Sequence, residues 1–206
     1  MDINELDYKQ PSFYKFNEDS TTLVSYVLKE FSEVNDVKNC LDYCCGCGII
    51  GLELSQKLSI NDLCLFDIQK EYSNYLNSNV EKFSRAQVTN IYFDLDELNH
   101  TKRKFDLIVI NPPYFKEGAG RLPSNKNRKR ARFYKHLELK SIIENALSLC
   151  EVGGRVIFCL KENENNIVEI DFLLNSNDLL IKKYISNKLS IFDITLIEDR
   201  VTSGTL

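Results

Sequence analysis

Short apolar segments alternate with segments of helical periodicity along this 206-residue chain, and the alternation limits its fold more than any other feature. The clearest apolar segment, Phe105–Ile110, is directly followed by Asn111 and two prolines. Proline donates no hydrogen bond to a strand ladder, so this strand ends at the asparagine. Alternating strands and helices predict an α/β fold with a mostly parallel sheet covered on both faces.

The order of the elements follows from the apolar period and from the residues that interrupt it. Helices are predicted at about residues 20–33, 69–83, 136–150 and 167–174, with another directly after residue 51. Strands are predicted at residues 40–44, 63–66, 88–93, 105–110, 155–160, 179–185 and 191–197. Too few residues join the last two strands for a parallel crossover, so we expect an antiparallel C-terminal hairpin. We divide the chain into an extension with a helix, residues 1–36, and a main domain, residues 37–206.

The segment after the first strand has the layout of a nucleotide-binding loop. Gly46, Gly48 and Gly51 match the dinucleotide fingerprint, and Asp67 follows at the spacing that this fingerprint expects. A nicotinamide-dependent oxidoreductase is therefore one interpretation. Asp42 favours a second interpretation, a loop that binds a ligand with a cationic group, because a carboxylate just ahead of the loop suits such a ligand. A binding test with NADH and S-adenosylmethionine (SAM) separates the two interpretations.

Asn111, Pro112, Pro113 and Tyr114 follow the predicted fourth strand, and ligands of open α/β sheets bind at the carboxyl ends of the strands. The four residues offer a side-chain amide, a backbone carbonyl and an aromatic ring. This set suits a flat group that carries an amine. The alternative interpretation is a proline turn that only closes the strand.

Together these motifs resemble, in the same order, those of class I SAM-dependent methyltransferases. The resemblance implies a Rossmann-like class I methyltransferase fold, SAM as cofactor and an enzyme that methylates nitrogen. It assigns the ribose hydroxyls of SAM to Asp67, the adenine to Asp94 or its neighbours, and the methionine end to Asp42. The implied cofactor-binding residues are Asp42, Cys44, Gly46, Gly48, Asp67, Asp94 and Asn111.

The Asn-Pro-Pro-Tyr sequence is similar to that of enzymes that methylate a planar nitrogen, either the exocyclic amine of a base or the side-chain amide of glutamine. Such a nitrogen is a poor nucleophile because its lone pair is conjugated. Hydrogen bonds to the Asn111 side-chain oxygen and the Pro112 carbonyl would free the lone pair, and Tyr114 would stack on the ring. The resemblance therefore implies Asn111, Pro112 and Tyr114 as catalytic residues.

Residues 115–135 carry eight basic side chains against the single acid Glu117, in a chain whose net charge is −4. Aromatic residues are interleaved with them, and basic and aromatic side chains together suit phosphates and unstacked bases. The segment predicts RNA as the partner, although a solvated charge run would look the same. The predicted substrate-binding residues are Tyr114, Phe115, Arg128, Arg130 and Arg132.

The order of motifs is most similar to that of bacterial tRNA(Val) adenine N(6)-methyltransferases, whose pattern also matches Phe13, Phe16, Asp19 and Arg132. tRNA is therefore the first candidate substrate. One departure is that cysteines 44, 45 and 47 replace the family's first loop glycine and its threonines. Release-factor glutamine methyltransferases share the Asn-Pro-Pro-Tyr sequence and tolerate cysteine there, but normally carry a helical N-terminal domain that these residues do not include. A non-catalytic protein that binds SAM and RNA is the third alternative.

Net charge, hydropathy and cysteine content exclude several other classes of protein. The net charge argues against a wholly basic nucleic-acid binder, and no stretch has the length and apolar character of a membrane span. The acidic start of the chain, unlike a signal peptide, and seven cysteines, an odd number, predict a reducing cytoplasm. Three of the cysteines lie close together in residues 44–47, but no second pair of cysteines or histidines has ligand spacing, so we expect no metal site.

Overall fold

The structure is a computed structural model, and it describes residues 7–12, 15–33, 36–113, 115–116, 133–134, 139–161, 170, 176–186 and 189–197. The helices are α1 (Glu18–Glu30), α2 (Ile49–Lys57), α3 (Ser73–Phe83), α4 (Leu95–His100) and α5 (Leu139–Leu149), with a short 3₁₀ helix at Lys70–Tyr72. The strands are β1 (Asp36–Tyr43), β2 (Ser59–Phe66), β3 (Val88–Tyr92), β4 (Phe105–Ile110), β5 (Phe115–Lys116), β6 (Phe133–Tyr134), β7 (Cys150–Lys161), β8 (Leu179–Ser186) and β9 (Leu189–Leu196).

Seven strands form one sheet in the spatial order β3-β2-β1-β4-β7-β9-β8. The five strands from β3 to β7 pair in parallel, whereas β9 lies between β7 and β8 and runs antiparallel to both. This confirms the predicted α/β fold with a mostly parallel sheet and a C-terminal antiparallel hairpin. The strand order reverses between β1 and β4, which is where open α/β sheets bind their ligands.

The core lies on both faces of the two central strands. Leu107, Ile108, Val109 and Ile110 of β4 are completely buried, as are Leu41 and Tyr43 of β1. A parallel strand with helices on both sides buries every side chain, which explains why these segments are continuous apolar runs without alternation. Burial of each aliphatic side chain contributes about 1.5–3 kcal/mol to stability. The strongest apolar segments of the sequence therefore hold the strands that end at the candidate site.

Helix α1 is fixed to the sheet by a largely buried ionic cluster. Arg155 of β7 donates hydrogen bonds to Asp193 of β9 and, at 3.1 Å, to Glu30 near the end of α1. The Arg155 guanidinium also lies 4.7 Å from the centre of the Phe31 ring. Asp193 is only 2% exposed, and a buried charge of this kind is stable only when it is paired. The cluster therefore holds α1 in a fixed position relative to β7.

Most predicted helices and strands are present with shifted ends. The start of β7 and the helix α4 were not predicted, each for a reason in its own sequence. Strand β7 begins at Cys150 rather than at residue 155, because the register against β4 shifts and the strand includes Gly153 and Gly154, a glycine pair of the kind that usually marks a turn. The six-residue helix α4 was missed because it is too short to show a period. The predicted helix at residues 167–174 lies outside the described residues except for Ile170, which is helical.

Two further observations concern domain organisation and membranes. Helix α1 packs against α2 and β7, while the division of the chain at residue 36 stays a prediction. Within the described ranges, no helix combines the length and apolar character that crossing a membrane requires.

Candidate active site

The register of the sheet brings four predicted site segments to one edge. Tyr43, the last residue of β1, is paired with Phe66 of β2 on one side and with Ile110 of β4 on the other. Phe66 is in turn paired with Tyr92, the last residue of β3. Asp94, Asp67, the glycine loop and Asn111 therefore follow neighbouring strand ends, and adjacent strands lie about 4.8 Å apart. The glycine loop, Asp67, Asp94 and Asn111 thus lie along one edge of the sheet, at the crevice where open α/β sheets bind their ligands.

Residues 44–48 form the glycine loop between β1 and α2, and sterics require glycine both at Gly48, the last loop residue, and at Gly51 in the first turn of α2. Gly48 has a φ of +78°, and a Cβ there would lie 2.6 Å from the Leu76 side chain. A Cβ on Gly51 would lie 2.8 Å from Leu65 and 3.0 Å from the Cβ of Asp42. Gly51 therefore lets helix α2 pack directly on β1 and β2, which is the role of the third glycine in the fingerprint.

A buried asparagine from α3, which the sequence analysis missed, also fixes the loop. The Nδ2 atom of Asn79 donates to the Cys47 and Lys9 carbonyls, each at 3.0 Å, and its Oδ1 accepts from the Lys9 N–H at 2.8 Å. Asn79 thereby joins the glycine loop to the segment before α1. Sequence alone gave no signal for it, because its partners are 32 and 70 positions away.

Cys44 occupies the position of the family's first loop glycine and adopts a left-handed backbone, with a φ of +66°. This conformation costs a residue with a Cβ about 1–2 kcal/mol. Burial, reinforced by the nearby Asp67 and Asp42 carboxylates, raises the pKa of the Cys44 thiol well above its usual value. Burial likewise raises the pKa of Cys47 to about 12. The loop cysteines are therefore protonated at neutral pH, whereas metal ligation and nucleophilic attack require the thiolate.

We expect Cys44→Gly to leave the free energy of unfolding within about 1 kcal/mol of the wild type, because the relieved strain offsets the greater flexibility of the unfolded chain. Cys44→Val should destabilise by at least about 1 kcal/mol, since a β-branched residue fits this backbone poorly. Urea denaturation of the three proteins measures the difference. A valine variant as stable as the glycine variant would contradict the strain at this position.

Asp67 binds the glycine loop to the end of β2. Its Oδ2 atom accepts from the Gly46 N–H and its Oδ1 atom accepts from the Gln69 N–H, both at 2.8 Å. Burial raises the pKa of Asp67 to about 6, although these two hydrogen bonds favour the ionised form. The next residue, Ile68, is 55% exposed and was missed by the sequence analysis. The pattern that could have singled out Ile68 as a candidate site residue is an apolar residue directly after a strand-end acid. Such a pair offers a flat ring both a hydrogen-bond acceptor and an apolar surface.

Asp42 is completely buried beneath the start of helix α2. Its Oδ2 atom accepts from the Gly51 N–H at 2.8 Å, while its Oδ1 atom has no hydrogen-bond partner among the residues that the structure describes. Burial, with a smaller contribution from the Asp67 charge, raises the pKa of Asp42 to about 7, although the hydrogen bond from Gly51 favours the ionised form. The structure therefore places Asp42 under the loop rather than on the surface of the crevice. Its contact with the methionine end of SAM stays a prediction.

The buried Asp42 should make the ligand-free protein less stable as the pH rises. The raised folded-state pKa means that the folded protein binds this proton more tightly than the unfolded chain does. The stabilisation is complete below about pH 4 and is lost as the pH rises through about 7. Asp42→Asn should therefore gain roughly 2 kcal/mol relative to the wild type between pH 5 and pH 8. Urea denaturation at both values tests this, with Asp96→Asn on exposed α4 as the control, and an Asp42→Asn difference that does not change with pH would contradict it.

Asn111 lies where β4 ends, and its side-chain amide is held from two sides. Its Nδ2 atom donates to the Ser20 hydroxyl of α1 at 3.0 Å, and its Oδ1 atom accepts from the Cys159 thiol of β7 at 3.3 Å. Pro112 is buried and Pro113 is half-buried. Tyr114 lies outside the described residues. The first residue of the motif therefore has a defined orientation at the carboxyl edge of the sheet.

Asp94 is exposed and caps helix α4, with its Oδ1 atom accepting from the N–H groups of Asp96 and Glu97. Its contact with adenine stays a prediction. The predicted basic residues Arg128, Arg130 and Arg132 lie outside the described residues, as does the side chain of Phe115.

The two ends of the basic segment, residues 115–116 and 133–134, are nevertheless described by the structure. Phe115 pairs with Phe133, and Lys116 pairs with Tyr134, in the parallel ladder of β5 and β6. Residues 117–132 are therefore flanked by the two strands of one short ladder, whose first strand begins two residues after Pro113. Across the described ranges, no three His, Cys, Asp or Glu side chains form a group that would hold a metal ion.

Comparison with known families identifies the class of protein that carries this loop and this strand-end asparagine. Residues 13–126, more than half of the chain, match the family model of the methyltransferase small domain, and the chain belongs to this family of enzymes that transfer methyl groups. The family decides against the nicotinamide-dependent oxidoreductase that the glycine spacing left open.

Two curated relatives carry the names of the two substrate classes that the sequence analysis weighed. The chain is 29% identical over 182 residues to a release factor glutamine methyltransferase of Clostridium botulinum, covering 82% of this chain and 63% of the relative. It is 34% identical over 140 residues to a tRNA1(Val) (adenine(37)-N6)-methyltransferase of Haemophilus influenzae, covering 65% and 58%. The chain thus spans about three fifths of the length of these relatives.

Solved structures share the fold at low sequence identity. The 16S rRNA N2 G1207 methyltransferase of T. thermophilus, solved with AdoMet and guanosine, has a TM-score of 0.65 at 14% identity, covering 91% of this chain and 45% of that chain. A ribosomal protein L11 methylase of Lactobacillus delbrueckii subsp. bulgaricus has a TM-score of 0.62 at 19% identity, covering 89% and 81%. The likeness confirms the Rossmann-like methyltransferase fold.

Proposed function

We propose that this protein transfers a methyl group from SAM to the exocyclic amine of adenine in RNA, which releases S-adenosylhomocysteine and one amine proton to solvent, with tRNA as the first substrate to test. The observation that carries the proposal is the register that sets Asn111 beside the glycine loop and Asp67 at one edge of the sheet. A cofactor held by the loop would there adjoin a group that can bind a planar amine. A cytoplasmic location fits this role and stays a prediction.

The polar groups around the loop fit SAM. In the described part of the chain, the buried side-chain oxygens that lack a hydrogen-bond partner are Oδ1 of Asp42 and Oε1 of Gln69. Asp42 lies two residues before the loop, and the Gln69 N–H donates to Asp67, whose other oxygen accepts from Gly46 of the loop. SAM brings the donors that such acceptors need, as ribose hydroxyls and amine N–H groups. Asp67 and Ile68 would hold the nucleoside part and the negative charge of Asp42 would favour the cationic part, while Cys44, Gly46 and Gly48 would line the loop. The bound cofactor supplies an activated methyl group, so the chain itself need not activate the donor.

The remaining chemistry concerns the acceptor nitrogen, and Asn111 and Pro112 supply it. The amide oxygen of Asn111 and the carbonyl of Pro112 are acceptors for the two N–H groups of an exocyclic amine. Binding both N–H groups fixes the nitrogen and draws its lone pair out of conjugation with the ring. Tyr114 supplies an aromatic surface for stacking. These residues orient the nucleophile, and proximity contributes much of the rate acceleration.

The charge of residues 117–132 favours RNA over a protein substrate. The residues that flank the segment pair in one short ladder, whose first strand begins two residues after Pro113, and the segment carries six basic residues against Glu117. Basic groups beside a base-binding site contact the phosphates, as nucleic-acid binding requires. Arg128, Arg130 and Arg132, with Phe115, are the proposed substrate-binding residues. The Clostridium botulinum relative keeps a glutamine side-chain amide as the second candidate acceptor, because the same two hydrogen bonds would suit it.

The two acceptors are separated by one experiment with tritium-labelled SAM. Wild-type protein is incubated with total tRNA from a strain that lacks adenine N(6) modification and, separately, with purified release factors. We expect label in tRNA and none in the release factors. Label confined to the release factors would replace the RNA proposal with the glutamine alternative, and no label in either would favour a protein that binds without turnover. Calorimetry with SAM and NADH is the control for cofactor choice, and only SAM should bind.

A further inference from the structure

The side chain that holds the Asn111 amide comes from a part of the chain that precedes the whole sheet. Ser20 lies in the first turn of α1 and is 4% exposed, and its Oγ atom accepts from the Asn111 Nδ2 atom at 3.0 Å. Ninety-one sequence positions separate the two residues. The neighbouring Asp19 forms an ion pair with Lys161, the last residue of β7, at 2.9 Å. The start of α1 is therefore attached to the carboxyl edge of the sheet at two adjacent residues.

The chemistry of the two partners selects one orientation of the amide. A hydroxyl oxygen is a good acceptor, whereas a thiol sulfur is a poor acceptor and a weak donor. The observed arrangement directs the amide N–H to Ser20 and the amide oxygen to the Cys159 thiol. The reversed amide would leave a half-buried N–H facing sulfur, which costs free energy because that donor would be poorly satisfied.

The orientation matters because only one end of the amide can accept a hydrogen bond. A carbonyl oxygen has two lone pairs, so Oδ1 can accept from a substrate N–H as well as from Cys159. A reversed amide would present N–H groups to the donor N–H groups of the amine. We infer that Ser20 is a positioning residue for methyl transfer, holding the Asn111 amide with its oxygen toward the acceptor nitrogen. This inference rests on the proposed function, because it concerns the group that binds the acceptor.

Helix α1, which carries Ser20, is held to the sheet at both of its ends. The Arg155 cluster holds the carboxyl end of the helix through Glu30, and the Asp19–Lys161 pair holds its start. The helix that precedes the sheet therefore has a part in the reaction beyond packing.

The test compares Ser20→Ala with Ser25→Ala, an exposed serine on the same helix. Loss of one hydrogen bond of this kind corresponds to roughly a tenfold change. We expect Ser20→Ala to lower kcat roughly tenfold with the dissociation constant of SAM and the KM for RNA unchanged, and Ser25→Ala to behave as the wild type. Ser20→Cys, which keeps the size of the side chain but weakens the acceptor, should have an intermediate kcat. A Ser20→Ala enzyme with wild-type kcat would overturn the inference.

A second measurement separates this inference from the proposed function. The side-chain amide of Asn111 gives a pair of ¹H–¹⁵N resonances, assigned by their loss in Asn111→Asp. We expect both resonances to shift in Ser20→Ala and in Ser20→Cys but not in Ser25→Ala, whether or not any substrate is methylated. Unchanged resonances in folded Ser20 variants would overturn the positioning role. A wild-type protein without transfer but with the expected shifts would instead contradict the proposed function alone.

Discussion

Asn111→Ala is expected to reduce the rate of methyl transfer between about a hundredfold and a thousandfold, the range typical for loss of one preoriented hydrogen-bonding group from an active site. The dissociation constant of SAM should stay within about twofold of the wild-type value. The reason is geometric, since the amide lies at the end of β4, whereas Asp67 and the glycine loop follow β2 and β1. Alanine removes the acceptor for one amine N–H and leaves the loop intact.

The measurement is a single-turnover assay with labelled SAM, accompanied by calorimetry for SAM. Asn99→Ala on the exposed part of α4 is the matched control and should have wild-type values in both. Urea denaturation shows whether the Asn111 variant is folded. A folded Asn111→Ala protein with wild-type turnover would remove the asparagine from the chemistry and leave the Asn-Pro-Pro-Tyr sequence as a turn that closes β4.

Asp67→Ala is expected to weaken SAM binding at least about a hundredfold. Hydrogen bonds to a charged group contribute about 1.5–3 kcal/mol each, and the carboxylate is proposed to accept from the ribose hydroxyls. The substitution also leaves the N–H groups of Gly46 and Gln69 without their present acceptor. Among the described residues, the loop then keeps only the backbone hydrogen bond from the Cys45 N–H to the Phe66 carbonyl at the end of β2. Asp67→Asn keeps the shape but removes the charge and should weaken binding less than alanine does.

Calorimetry at pH 7.5 measures these affinities, with Asp96→Ala as a control for loss of an exposed carboxylate. The pKa of Asp67 adds a second check, since burial raises it to about 6. If the ionised carboxylate binds the ribose, the affinity of the wild type for SAM should fall as the pH drops below about 6. An Asp67→Ala protein that binds SAM as the wild type does would restrict Asp67 to a structural role.

Much of the fold was predictable because burial on both faces leaves a simple signature. Strands such as Phe105–Ile110 are apolar at nearly every position, and turn residues mark their ends. The strand ends in turn located Asp67, Asp94 and Asn111, since parallel strands present their carboxyl ends at one edge of the sheet. The antiparallel hairpin followed from the length of its connection alone.

The contacts that fix the site were not predictable, because they join residues far apart in the chain. Ser20 and Asn79 read as an ordinary helix-start serine and a polar residue on a helix, and only the tertiary structure brings them to Asn111 and Cys47. The burial of Asp42 by α2 was likewise not predicted, while its contact with a ligand stays a prediction. The class of enzyme was also ambiguous in sequence, because the same glycine spacing serves dinucleotides, and membership of the methyltransferase small domain family decides against an oxidoreductase.

The most direct test of the account is the chemical identity of the methylated product. Unmodified tRNA is incubated with SAM and wild-type protein, digested to nucleosides and analysed by mass spectrometry, with Asn111→Ala as the parallel sample. The account predicts N(6)-methyladenosine with the wild type and at most a trace with the variant. A different methylated nucleoside, or equal amounts of N(6)-methyladenosine from both proteins, would contradict it.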